Sequence, residues 1–290
     1  MKKNCFYVLA AAWMTVSCTT NEIPTQSFSD QAITIVANVS PHSRAPQLDS
    51  DGSGSFTKGD VMTLCVGKSD ADYISMDYAY QQETITWGGL NLPESTREIR
   101  MAACYPKQTV GADGMFKFNV SAAQNKDLLL SPAQTIEVGT SYAVNLNFRH
   151  ALHRLDLTFT QGNGYSAGDL ENLSLSLNAK NCCMVDAFKG EIKEVMSEKA
   201  TYTSTGTTAS FYLVPQETSG VTLDVTVGDQ KKTLVLSDLL NQLGEPQNSL
   251  KSGAKCTITL KVGREGIVVE SGSIGAWEDQ VTVEGDLTIG

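Results

Sequence analysis

The sequence predicts an all-β chain built as two consecutive β-sandwich domains. Three observations carry that reading: alternating β-branched runs dominate, Gly, Asn, Asp and Ser turns separate them, and no long helical crossover is available for a parallel sheet. With 290 residues, 41% of them hydrophobic, the chain can build two cores at roughly 100–200 residues per domain, and this composition excludes intrinsic disorder.

In order, strands are expected at 32–39 (AITIVANV), 61–67, 83–87, 97–105, 142–148 and 154–160. The second half repeats the pattern at 173–179, 209–214, 221–227, 232–237, 255–262, 266–270 and 281–289. Only Ser237–Leu243 reads as a helix, with Ser237 as N-cap and Gly244 as stop. The segment from Ala143 to Thr160 reads as one strand bent around His150-Ala151, opening the second domain. The expected division is therefore a sandwich over 30–143 and another over 144–290. Residues 41–56 (PHSRAPQLDSDGSGSF) are turn-rich and exposed, which opens Arg44-Ala45 to a trypsin-like protease.

The first residues, MKKNCFYVLAAAWMTVSC, have a positive start, an apolar run and small residues before Cys18, the pattern of a secretory signal over 1–17. The run is shorter than the ~20 apolar residues of a membrane-spanning helix. Thr15-Val16-Ser17-Cys18 resembles a bacterial lipobox, in which the cysteine is acylated and becomes the new N-terminus. Thr15 departs from the usual Leu, and a plain secretory signal is the alternative. Residues 18–29 are then a linker.

Lys+Arg number 22 against 32 Asp+Glu, a net charge of −10, and no basic block stands beyond the N-terminus. A phosphate-neutralising surface is hard to assemble, so no nucleic-acid partner is expected. Cys65, Cys104 and Cys256 lie in apolar runs and read as core residues, with a Cys65–Cys104 bridge as an alternative. Cys182 and Cys183, adjacent in an extended chain, face opposite ways and make a poor metal pair.

Four patterns touch on chemistry. Gly164-Tyr165-Ser166-Ala167-Gly168 matches a nucleophile elbow, but His42, His150 and His153 all precede Ser166, so it reads as a turn. Residues three apart on a strand face opposite sides, so His150 and His153 read as structural. Asp49 to Asp60 overlays a calcium loop with Asp in place of its final Glu, and a solvated turn is the alternative. Tyr73, Tyr78, Tyr80 and Trp87 offer a stacking platform for sugar rings, or strand packing. No catalytic residue, metal or cofactor is expected.

Several segments in order resemble the fimbrillin family, the subunits of type V pili. They are the lipoprotein signal followed by a strand and Ser43-Arg44-Ala45; Ser55-Phe56-Thr57-Lys58-Gly59-Asp60-Val61; Ala102-Ala103-Cys104-Tyr105-Pro106; Phe148-Arg149-His150-Ala151-Leu152; Leu250 to Leu260; and Ile274-Gly275-Ala276-Trp277. The resemblance implies two tandem transthyretin-like Greek-key sandwiches, an outer-membrane or cell-surface lipoprotein anchored through Cys18, and a non-enzymatic, adhesive tip, accessory or anchor-like subunit. Its partners would be other pilus subunits and a host or bacterial surface receptor. A glycan-binding lipoprotein of a nutrient-uptake system is the alternative.

In the scheme that the resemblance implies, a protease cuts after Arg44, the strand over 32–39 leaves, and a neighbour's strand takes its place. Ile33, Ile35, Ala37 and Val39 share one face of that strand. The three larger ones would bury a gross ~5–9 kcal/mol at ~1.5–3 kcal/mol each, against a domain stability of ~5–15 kcal/mol. An edge or peripheral position for this strand would weigh against exchange. The tail over 280–289, with Val281, Val283, Leu287 and Ile289, is either a donor or a native edge strand.

Overall fold

The computed structural model describes residues 28–39, 56–69, 72–93, 95–124, 126–243, 248–276 and 283–284. The first half contributes β1 (Ala32–Ile33), β2 (Ile35–Val39), β3 (Val61–Ser69), β4 (Asp72–Ala79), β5 (Ile85–Thr86), β6 (Glu98–Tyr105), β7 (Met115–Asn119), β8 (Leu129–Glu137) and β9 (Val144–His150). The second contributes β10 (His153–Gln161), β11 (Ser174–Lys180), β12 (Cys182–Asp186), β13 (Glu191–Val195), β14 (Lys199–Thr205), β15 (Thr208–Leu213) and β16 (Gln216–Glu217). It continues with β17 (Thr222–Val227), β18 (Gln230–Val235), β19 (Ser249–Leu250), β20 (Ala254–Val262), β21 (Ile267–Ala276) and β22 (Val283–Glu284). Among the described residues, two short helices, α1 (Ala167–Leu170) and α2 (Leu236–Asn241), accompany the strands with three single-turn 3-10 segments. The chain is all-β.

Six strands in the order β2-β9-β8-β6-β3-β4 form the main sheet of the first half. One face carries Met62, Leu64, Val66, Ile99, Met101, Leu146 and Phe148 into a core with Phe56 and Trp87. The other face carries Cys65, Ala102, Cys104 and Leu130 into a second core. Because both faces are covered, β3 reads as a continuous apolar run rather than an alternation. Pro132 lies in β8 where its register with β6 shifts, which is where a strand tolerates a residue with no N–H to donate.

The covering layer on the second face belongs to both halves. β7 pairs antiparallel with β12, which pairs with β13, so Phe116, Phe118, Cys183 and Val185 lie under the six-stranded sheet. A four-stranded sheet (β14-β11-β17-β18) and a five-stranded sheet (β15-β10-β20-β21-β22) supply the rest of this core, through Leu155, Leu157, Phe159, Leu177, Leu223 and Ile258. In the second half, apolar residues alternate with polar ones along β10, β11 and β17, as half-covered strands require.

The structure differs from the sequence reading in two places. Val144–His150, assigned there to the second sandwich, is hydrogen-bonded to β2 and β8 of the first half's sheet, and the chain passes to the other sheet only at Ala151-Leu152. The N-cap of helix α2 is Val235, two residues before Ser237, because the helix is held by burial of Leu236, Leu239 and Leu240. Of the two readings of the tail, the described pair Val283–Glu284 fits the native edge strand, lying antiparallel on Ser271–Gly272 of its own chain.

Candidate functional site

The strand over 32–39 is divided at Thr34. Its first residues pair antiparallel with β5 (Ala32 with Thr86, Ile33 with Ile85), and its later ones pair parallel with β9 (Ile35 with Val144 through Val39 with Phe148). Backbone bonds mark the handover: Trp87 N donates to Gln31 O at 3.2 Å, and Val144 N donates to Thr34 O at 2.7 Å. The turn over 28–30 packs against the turn over 88–90 so closely that a Cβ on Gly88 would lie 2.9 Å from the Ser29 carbonyl oxygen. Only glycine fits there without movement.

Ile33 and Ile35 are 6% and 5% exposed, while Ala37 and Val39 are half-buried against the same core. Two fully buried isoleucines correspond to about 3–6 kcal/mol of gross burial, less than the three that the sequence credited. β2 is also the outermost strand of its sheet, the position that weighs against exchange. Hydrogen bonding to two different strands nevertheless seats it firmly. Cys18, Arg44 and Ala45 lie outside the described residues, as do 49–55 of the calcium-like loop.

The family-like segments turn out to organise the seat. Phe56 packs on Phe148 at 4.8 Å, on Tyr105 at 5.4 Å and on Tyr80 at 5.9 Å between ring centroids. Asp60 Oδ2 accepts from Thr57 N at 2.7 Å and Thr57 Oγ1 at 3.0 Å, closing a turn in which Gly59 has φ +96°. Burial, with the Asp60 carboxylate beside it, pushes the Tyr105 phenol up to about 12. Asp60 thus belongs to a structural turn that aims the chain into β3.

At the junction, Phe148 is buried in the first core and Leu152 in the second, while between them the buried His150 ring Nδ1 pairs with the Asp127 carboxylate. The His153 Nδ1 lies 3.1 Å from the Lys251 carbonyl, to which it donates, leaving Nε2 without a hydrogen-bond partner among the described residues. Burial lowers the His153 pKa to about 4. The two rings therefore serve separate partners, and no group of three potential metal ligands occurs among the described residues.

The other patterns resolve physically. Ser166 stands at the N-cap of α1, where its backbone N and its Oγ donate to Asp169 Oδ2 at 2.7 and 2.8 Å, and these two bonds hold the Asp169 carboxyl below its ordinary range. The sugar-stacking platform is overturned, because Trp87, Tyr78 and Tyr80 are buried in the first core and Tyr73 packs edge-on against Phe188 at 4.6 Å. Among the described residues, the exposed aromatic is Tyr142. All five described cysteines are free and buried, and burial raises the Cys65, Cys183 and Cys256 thiols to about 12, away from thiolate reactivity. No described helix is long and apolar enough to cross a membrane.

These features define an all-β chain with two cores whose opening strand closes the first. The chain belongs to the Fimbrillin-like family, whose model matches residues 43–277. Its fold is similar to that of a candidate cell adhesion protein from Bacteroides uniformis ATCC 8492, with TM-score 0.62 and 19% identity over 85% of this chain and 99% of that one. A second, from Bacteroides ovatus ATCC 8483, gives TM-score 0.56 and 16% identity over 90% and 99% of the two chains. No curated protein matches the chain by sequence.

Sequence reasoning missed the Asp127 partner of His150, and the sheet shared by β7, β12 and β13. Asp127 carries a signal only in retrospect: an acid directly before the apolar run Leu128-Leu129-Leu130.

Proposed function

We propose that this chain is a non-enzymatic, adhesive subunit of a cell-surface pilus, tethered to the outer membrane by lipid at Cys18 and assembled by exchange of its opening strand after cleavage at Arg44. Membership of the Fimbrillin-like family supports the surface and pilus parts of the reading. The observation that carries the exchange is the seat of Ile33 and Ile35, joined by backbone bonds to β5 and β9 and followed, five residues past Val39, by Arg44.

Edge position and burial pull in opposite directions here. An outermost strand leaves without splitting the sheet, which favours release but weakens the demand for a replacement. The two buried isoleucines and the exposed edge of β9 restore that demand, since removal would open an apolar groove beside unpaired backbone groups. The nutrient-uptake alternative loses its aromatic platform to the core.

Limited trypsin treatment of the intact precursor, followed by a labelled peptide of residues 31–39, tests the proposal. One cut at Arg44 and capture of the peptide only by cut protein are expected, with Arg44→Ala resisting the cut. A cut chain that retains its own strand and rejects the peptide would refute exchange. Cys18→Ser should move the chain out of the membrane fraction, and unchanged partitioning would refute the lipid anchor.

A further inference from the structure

At one end of the second half, three turns converge on a cleft of about 550 Å3. They are the turn entering α1, the hairpin turn between β17 and β18, and the turn between β20 and β21. The volume falls within the roughly 300–1,000 Å3 common for small-ligand sites. Its walls present Tyr165, Asp169, Asn172, Asp229, Gln230 and Arg264, over the buried Val227.

The turns are fixed by their own bonds. Gln161 Nε2 donates to Tyr165 O at 2.7 Å, Arg264 N donates to Asn163 O at 3.0 Å, and Ser166 holds Asp169 in the capping arrangement. The Arg264 guanidinium lies over the Tyr165 ring, 5.6 Å from its centroid, which sets a planar donor group against one wall.

The charge pattern selects the ligand class. Two carboxylates, Asp169 and Asp229, flank a single Arg264, so an anionic ligand meets repulsion and a bare cation meets the guanidinium. A largely polar lining offers little to an apolar molecule. A neutral polyhydroxylated ring satisfies all of it: hydroxyls donate to the carboxylates and accept from Arg264, Asn172 and Gln230, while a C–H face can rest on planar Tyr165 or Arg264.

We infer that this cleft binds a neutral sugar, giving the chain a glycan contact in the half of the molecule remote in sequence from the exchanged strand. The inference adds a ligand to the adhesive reading proposed above, and its site shares no residue with the strand's seat.

Saturation-transfer NMR on the full chain tests it, with lactose, maltose, cellobiose and N-acetyllactosamine as neutral probes and sialyllactose as the anionic one. Transfer to at least one neutral probe at millimolar concentration is expected. It should be lost in both Arg264→Ala and Asp229→Asn, whose circular dichroism and melting should match the parent. Transfer to none of the neutral probes, transfer that survives both substitutions, or transfer to sialyllactose alone would each overturn the inference. The trypsin and peptide experiment above is independent of these outcomes, so failure here leaves the pilus reading standing, and the reverse.

Discussion

Each half contains a parallel strand pair, and the two pairs are built to different depths. β2 lies beside β9 over five residue pairs at the rim of its sheet, whereas β10 lies beside β20 over eight and has β15 on its other side. Along β10, Leu155, Leu157 and Phe159 are at most 3% exposed; along the opening strand only Ile33 and Ile35 are comparably buried. A central strand flanked on both sides cannot leave without unfolding its domain. A rim strand with two deep anchors can. The same alternating sequence pattern thus yields a central, doubly flanked strand in one half and a rim strand with two deep anchors in the other, and topology makes the difference.

The strongest challenge to that contrast is at the junction where the chain passes between the cores. Asp127→Ala strips the carboxylate from the buried His150 ring, leaving a buried ring nitrogen without that partner, and should cost about 3 kcal/mol in urea unfolding. A loss confined to one half, seen as two transitions, would show that the halves unfold separately. Next, Leu157→Ala in β10 should cost about 2–5 kcal/mol, through lost burial and the cavity left behind.

His153, at the start of β10, gives the contrast a pH signature. Its folded pKa of about 4 lies below its ordinary 6.5, so between those values the unfolded chain takes up a proton that the folded chain refuses. Stability should therefore fall as pH drops from 6.5 towards 4, by at most about 3 kcal/mol at ~1.4 kcal/mol per pH unit, and this contribution should be flat above and below that window. Urea titrations of the parent and His153→Leu across the window should show the slope only in the parent. The smallest effect is expected for Ile35→Ala, about 2 kcal/mol, because the rim can relax around it. It should speed release of the opening strand more than it lowers global stability.

Much of the fold was legible because half-covered strands write their burial into the sequence: RLDLTFT and VTLDVTV alternate, and both are strands with alternating burial. What escaped was structure decided by distant partners. β8 carries Pro132, which local rules discourage, and is accommodated by a register shift against β6. β7 and β12 are short and become strands by pairing across the two halves. Trp87, Tyr78 and Tyr80 look the same in sequence whether they face solvent or core, and here they face the core. The candidate site was half legible. The apolar face of Ile33, Ile35, Ala37 and Val39 could be read directly, but the handover from β5 to β9 depends on residues some fifty and one hundred and ten positions away.

Native-state hydrogen exchange, comparing the backbone amides of 35–39 with those of 155–160, tests most directly whether the opening strand is seated yet separable. Clear protection is expected over 35–39, lost through a local opening at a free energy well below the global value reported by 155–160. Equal protection in both strands would contradict separability, and absence of protection over 35–39 would contradict the seat.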